Sequence, residues 1–163
     1  MVEVITESGM DFIADNAFPI EKSALYKKTG EGVKSVEFVR AIDDRLVFVE
    51  ARSSFANPNN PSAENLAKYQ KEVDDICNKF IHSLSLFSSV KVGVAEDALP
   101  DDFVLPPSVS LSFILVIKHH EQKWCNRIKT ALLDVMPTYI KAIWKPTIFV
   151  INHETAIKYN LTM

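Results

Sequence analysis

The stretch SVSLSFILVIK, Ser108 to Lys118, has an unbroken apolar centre with β-branched residues. A strand with one wet face alternates apolar and polar residues, so an unbroken run predicts a strand covered on both faces and placed centrally in its sheet. Such a strand needs layers above and below it, and the neighbouring segments have the right character. PTIFVIN, from Pro146, reads as a second buried strand. Between the two, Glu121 to Ile143 reads as a helix with Trp124, Ile128, Leu132 and Val135 on one side and a bend at Pro137.

Upstream, Ser62 is placed to cap a helix that begins at Glu64-Asn65 and runs to about Leu86. Leu66, Tyr69, Val73, Ile76, Cys77, Phe80 and Leu84 recur at three- and four-residue steps and make one apolar stripe. Before it, Phe18 to Lys27, Val33 to Ile42 and Arg45 to Ser53 read as an antiparallel meander, broken by Gly30-Glu31-Gly32 and Asp43-Asp44. The acid- and proline-rich segment 93–108 reads as irregular, a lid or an insertion, and Glu154 to Asn160 as a closing helix. The order of meander, helix, strand, helix, strand predicts a mixed α/β fold: a central mixed β-sheet with an antiparallel meander, flanked by helices. With 163 residues, 47% of them hydrophobic, the chain is expected to form a single domain over 1–163.

A formal charge of −3 gives no general drive toward polyanions, so nucleic-acid binding would need a local basic patch or a metal. Cys77 and Cys125 match no zinc or redox spacing, and neither a signal core nor a membrane-length apolar run is present. The expectation is a soluble, cytoplasmic protein with reduced thiols. Gly-rich phosphate loops, serine-hydrolase elbows and helical His-Glu-x-x-His patterns are absent from the sequence.

Two acids interrupt the apolar runs of VEFVRAIDDRLVFVEARSS, residues 36–54. Alternation places Phe48, Glu50 and Arg52 on one face of their strand, and Glu37 with Ser35, Val39 and Ala41 on one face of its partner. If the hairpin turns about Asp43-Asp44, Glu37 stands opposite Glu50. Directly opposed like charges destabilise a sheet, so something positive is expected between them, and a divalent cation suits two carboxylates.

This pattern, an acid, twelve intervening residues, then an acid, any residue and a base, with LVFVE leading into the second acid, resembles the PD-(D/E)XK superfamily of restriction-endonuclease-like nucleases. The resemblance implies a restriction-endonuclease-like fold and Mg²⁺- or Mn²⁺-dependent hydrolysis of phosphodiester bonds in DNA, as an endonuclease or an exonuclease. Carried over by position, Glu37 and Glu50 become metal ligands and Arg52 occupies the place of the family's lysine. The family usually has Asp where Glu37 stands. Arginine keeps its proton at any working pH, so Arg52 can hold phosphate or stabilise charge but cannot act as a base. Three alternatives follow: the lysine's role has moved, for instance to Lys34, Lys68 or Lys71; the site binds without cutting; or it is vestigial. The second function class is accordingly an inactive nuclease-fold module acting through a protein partner or as a homodimer.

Arg40, Arg45 and Arg52 are the candidates for phosphate contacts, whereas Lys68, Lys71 and Lys79, interleaved with acids, read as a solvated helix face. His119-His120, His82 and His153 lack metal-ligand spacing and read as polar loop or isolated residues. Trp124 and Trp144 read as core or interface anchors.

Overall fold

The computed structural model describes residues 2–101 and 103–163. A five-stranded mixed sheet runs in the order β3 (Ala17–Phe18), β4 (Phe38–Ile42), β5 (Arg45–Arg52), β6 (Ser110–Ile117), β7 (Thr147–Asn152). β3, β4 and β5 pair antiparallel; β5, β6 and β7 pair parallel. The parallel strands are joined through α2 (Ala63–Lys91) and then α3 (Gln122–Val135) and the short α4 (Thr138–Ile143). Successive parallel crossovers in one direction share one hand, which puts α2 and α3 on the same face. β6 has neighbours on both sides and is buried from Leu111 to Ile117, the interior position its apolar run predicted.

On the helix side, Phe80 of α2 stacks on Phe113 of β6 at 4.7 Å and 8°, and Phe48 of β5 meets Phe113 and Phe87 edge-on. The opposite face carries Phe38, Val47, Val49, Ala51, Ile114 and Val116. It is covered by a hairpin that the sequence reading missed, β1 (Val4–Glu7) with β2 (Met10–Ile13), and by α5 (His153–Lys158). Met10 and Phe12 of the hairpin and Ala156 of α5 fill this second core. The C-terminus pairs back on β2, with Phe12 bridged to Thr162.

Local chemistry explains where the elements start and stop. Ser62 caps α2 by accepting the Asn65 N–H, and α2 runs a turn beyond the predicted Leu86. The predicted long helix after Glu121 is broken at Met136-Pro137 into α3 and α4, since proline cannot continue the backbone ladder. Phe18 to Lys27 is not a strand. Pro19 ends the ladder after Phe18, and Ser23 then accepts the Tyr26 N–H to cap α1 (Ala24–Lys27), a single turn preceded by the 3₁₀ turn Ile20–Lys22. The second predicted strand begins at Phe38 rather than Val33, because residues before it are drawn onto α2: the Lys34 N–H donates to His82 Nδ1 (2.9 Å) and the Val36 N–H to Ser83 Oγ (2.8 Å). Leu66, placed on the stripe by spacing, is exposed because it lies on the first turns of α2, before the helix reaches the sheet. Between Lys91 and Ser110 the described residues form no helix or strand.

Candidate functional site

The hairpin register is the one its two-residue link predicts. Phe38 faces Val49 and Ile42 faces Arg45, so the next position in register sets Glu37 opposite Glu50. Glu37 lies just before the ladder, its N–H still donated to Val49 O at 3.0 Å. Glu50, two residues before the end of β5, faces the helix side between Phe48 and Arg52 and is fully buried.

Glu50 does not stand alone in the interior. Its Oε1 accepts from Lys79 Nζ at 2.6 Å and from Arg52 Nε at 3.3 Å. Its Oε2 is buried and meets no donor. Burial pushes the Glu50 carboxyl above its ordinary range, while Lys79 and Arg52 pull the other way.

Lys79 is therefore not on a solvated face. It stands three residues after Ile76 and four before Ser83, both buried, so helical geometry turns it toward the sheet with its ammonium on Glu50. That spacing was the signal for Lys79, a lysine inside an apolar stripe. The three lysines considered as stand-ins lie elsewhere. Lys34 pairs with Asp75, and Lys68 and Lys71 are exposed, roughly 16 and 12 Å further back along α2 from Lys79. Of the three arginines, only Arg52 reaches the site. Arg40 donates to Asp15 O at 2.7 Å, and Arg45, at the opposite end of β5, lies 6.0 Å from the Phe149 ring.

Glu37 gathers different company. One carboxylate oxygen from each of Glu7, Glu21 and Glu37 lies within 4.8 Å of the others. Glu21 comes from the 3₁₀ turn after Pro19, and Glu7 from the end of β1. No sequence signal pointed to either, because neither belongs to the hairpin that carries the motif. Burial, then a hydrogen bond with the Glu21 carboxyl, then the charge of Glu50 raise the pKa of Glu37 from 4.5 to about 9. Its Oε2 is buried without a donor. Lys22 reaches Glu7 Oε1 at 3.1 Å from the solvent side.

No family model, curated protein or solved structure matches this chain. The residues themselves carry the chemical reading. Two buried carboxylate oxygens that lack donors, among four acids on one rim, form a hard-oxygen donor set suited to Mg²⁺ or Mn²⁺. Glu7, Glu21 and Glu37 are the acids whose oxygens lie close enough together to share such a cation, and Glu50 stands opposite Glu37 in register. The rim lies at the carboxyl end of β5 and β6, outside which open α/β sheets bind ligands.

The histidines fall apart from this set. His82 accepts the Lys34 N–H, and burial followed by the charge of Lys34 lowers its pKa, so it anchors the chain leading to Glu37. His120 packs between Phe55 and Trp124, with ring centroids at 6.5 and 5.0 Å. Trp144, the C-cap residue of α4, is part-exposed at the surface rather than a core anchor. Burial lifts both Cys77 and Cys125 to about 11, which leaves them protonated and unreactive as nucleophiles. Among the described residues no helix is long and apolar enough to cross a membrane.

Proposed function

We propose that this protein is a divalent-cation-dependent nuclease that hydrolyses phosphodiester bonds of DNA, on a restriction-endonuclease-like sheet, with Glu37 and Glu50 as the residues that would hold Mg²⁺ or Mn²⁺. The observation that carries the reading is Glu50: fully buried, opposite Glu37, with one oxygen held by cations and the other without a donor. A bound cation would supply a Lewis acid that polarises the phosphoryl oxygen and makes water a better nucleophile.

The chain's own residues divide the remaining work. Arg52, partly exposed at the end of β5, presents a guanidinium that clamps a phosphate oxygen and stabilises the charge developing there. Lys79 takes the place of the family's strand lysine from the neighbouring helix, with its ammonium on the same carboxylate oxygen. Lys79 thereby sets a compact positive charge beside Glu50, where it can position an attacking water.

Incubation with single- and double-stranded DNA and RNA in millimolar Mn²⁺ or Mg²⁺ tests this reading. Cleavage by the wild type and none by Glu50→Gln, with unchanged circular dichroism, is expected. A wild type that cuts no substrate in the panel overturns it.

A binding module acting through a protein partner or a second copy is the alternative. It is favoured by the apolar surface of α4, where Tyr139, Ile143 and Trp144 are 56%, 68% and 42% exposed.

A further inference from the structure

We propose that Glu7, Glu21 and Glu37 form a divalent-cation site in which the N-terminal hairpin supplies the third carboxylate, so that cation binding fastens the hairpin tip to the sheet. The inference rests on the cation of the preceding reading and is independent of its hydrolytic chemistry.

Glu7, Glu21 and Glu37 bring three carboxyl oxygens within 4.8 Å of one another. Besides the Lys22–Glu7 ion pair, contacts made by neighbouring residues and by the backbone fix the elements that carry these acids. Glu7 ends β1 at a two-residue turn, Ser8-Gly9, in which both residues have positive φ, 51° and 74°. Ser8 Oγ donates to Ala51 O at 3.1 Å, next to Glu50, and Lys118 Nζ donates to Gly9 O at 2.8 Å. The turn is thus tied to the carboxyl ends of β5 and β6. Gly9 also permits the close approach: a Cβ there would stand 2.8 Å from Lys118 Nζ. Glu37 is fixed separately, through the Val36 N–H on Ser83 and its own N–H on Val49 O.

A second observation points to a ligand. Glu50, fully buried beside this cluster, turns Oε1 to Lys79 and Arg52 and leaves Oε2 without a donor. The register that pairs Phe38 with Val49 sets Glu50 opposite Glu37, beside the cluster. Glu37 Oε2 is likewise buried and bare. The Lys22 ammonium pairs with Glu7, and the Lys22 side chain is 64% exposed, so a divalent cation can displace it. An all-oxygen set of this kind selects hard divalent cations, with water or a phosphate oxygen completing the shell.

The test is a calorimetric titration of Mn²⁺ into the full chain, paired with hydrogen exchange of residues 4–13. The wild type is expected to bind saturably and to slow exchange in the hairpin. Glu7→Gln, which keeps shape and removes charge, should weaken binding at least about tenfold and abolish the slowing. Lys22→Met removes the competing ammonium and should tighten binding. If Glu37→Gln abolishes binding while Glu7→Gln leaves affinity and exchange as in the wild type, the hairpin has no part in the site and this inference falls, while the nuclease reading stands. Absence of saturable binding to the wild type overturns the inference as well, and cleavage assays then judge the nuclease reading by itself. Weaker binding by Lys22→Met also counts against the arrangement.

Discussion

Lys79 Nζ lies 2.6 Å from Glu50 Oε1, joining a helix and a strand across 29 residues of sequence. Removing one partner of a buried pair leaves an uncompensated charge, whereas replacing both with apolar residues can be neutral. Lys79→Met should therefore destabilise the fold by about 3 kcal/mol, with Glu50→Leu added on top recovering most of that. Urea denaturation of both single variants and the double variant measures the coupling. Equal stability of wild type and Lys79→Met would mean that Arg52 alone suffices for Glu50.

The acids of the rim make stability depend on pH. In the native chain Glu37 keeps its proton up to about 9, while in the unfolded chain it ionises near 4.5. Between those values the native state binds the extra proton, so this contribution is full below about 4.5 and is lost as pH rises toward 9. From pH 7 to 8.5 the melting temperature should fall, and Glu37→Gln should flatten that fall. The lowered His82 group works in the opposite direction but only in more acidic solution, where its unfolded form gains a proton. Parallel melting curves for wild type and Glu37→Gln across this range would contradict the burial of Glu37.

Ser83 is buried, and its hydroxyl accepts the Val36 N–H one residue before Glu37. Ser83→Ala leaves that N–H buried without an acceptor, at a cost of about 1–3 kcal/mol. Because the bond also fixes the chain leading to Glu37, Mn²⁺ affinity should fall with it. Ser83→Thr, which keeps the hydroxyl, should retain more of both. Unchanged stability and unchanged affinity in Ser83→Ala would deny the anchor.

Phe80 ties α2 to the sheet by stacking on Phe113, and both rings are fully buried. Phe80→Ala opens a cavity at the centre of the helix side and should cost about 3–5 kcal/mol. Since Lys79 is its immediate neighbour, the variant should also disturb the Glu50 pair more than the loss of an equally buried ring distant from Lys79. Comparison with Phe12→Ala, on the opposite face, separates the two effects.

What the sequence determined was local. The two-residue link at Asp43-Asp44, with Asp43 at φ 52°, set the register that opposes Glu37 to Glu50. Ser62 set the start of α2, and the unbroken run of β6 required cover on both faces. These follow from periodicity, turn length and capping, which act over a few residues. Tertiary structure decided what surrounds the hairpin. Glu7, Glu21 and Lys79 reach the rim from a hairpin, a 3₁₀ turn and a helix, and their convergence depends on how whole elements pack. Even the failure of the strand predicted at Phe18 to Lys27 has this form. Proline stops the ladder locally, but only the packed chain carries Glu21 to Glu37. Side chains distant in sequence meet because burying apolar faces fixes the elements that bear them, and no short window of sequence contains that geometry.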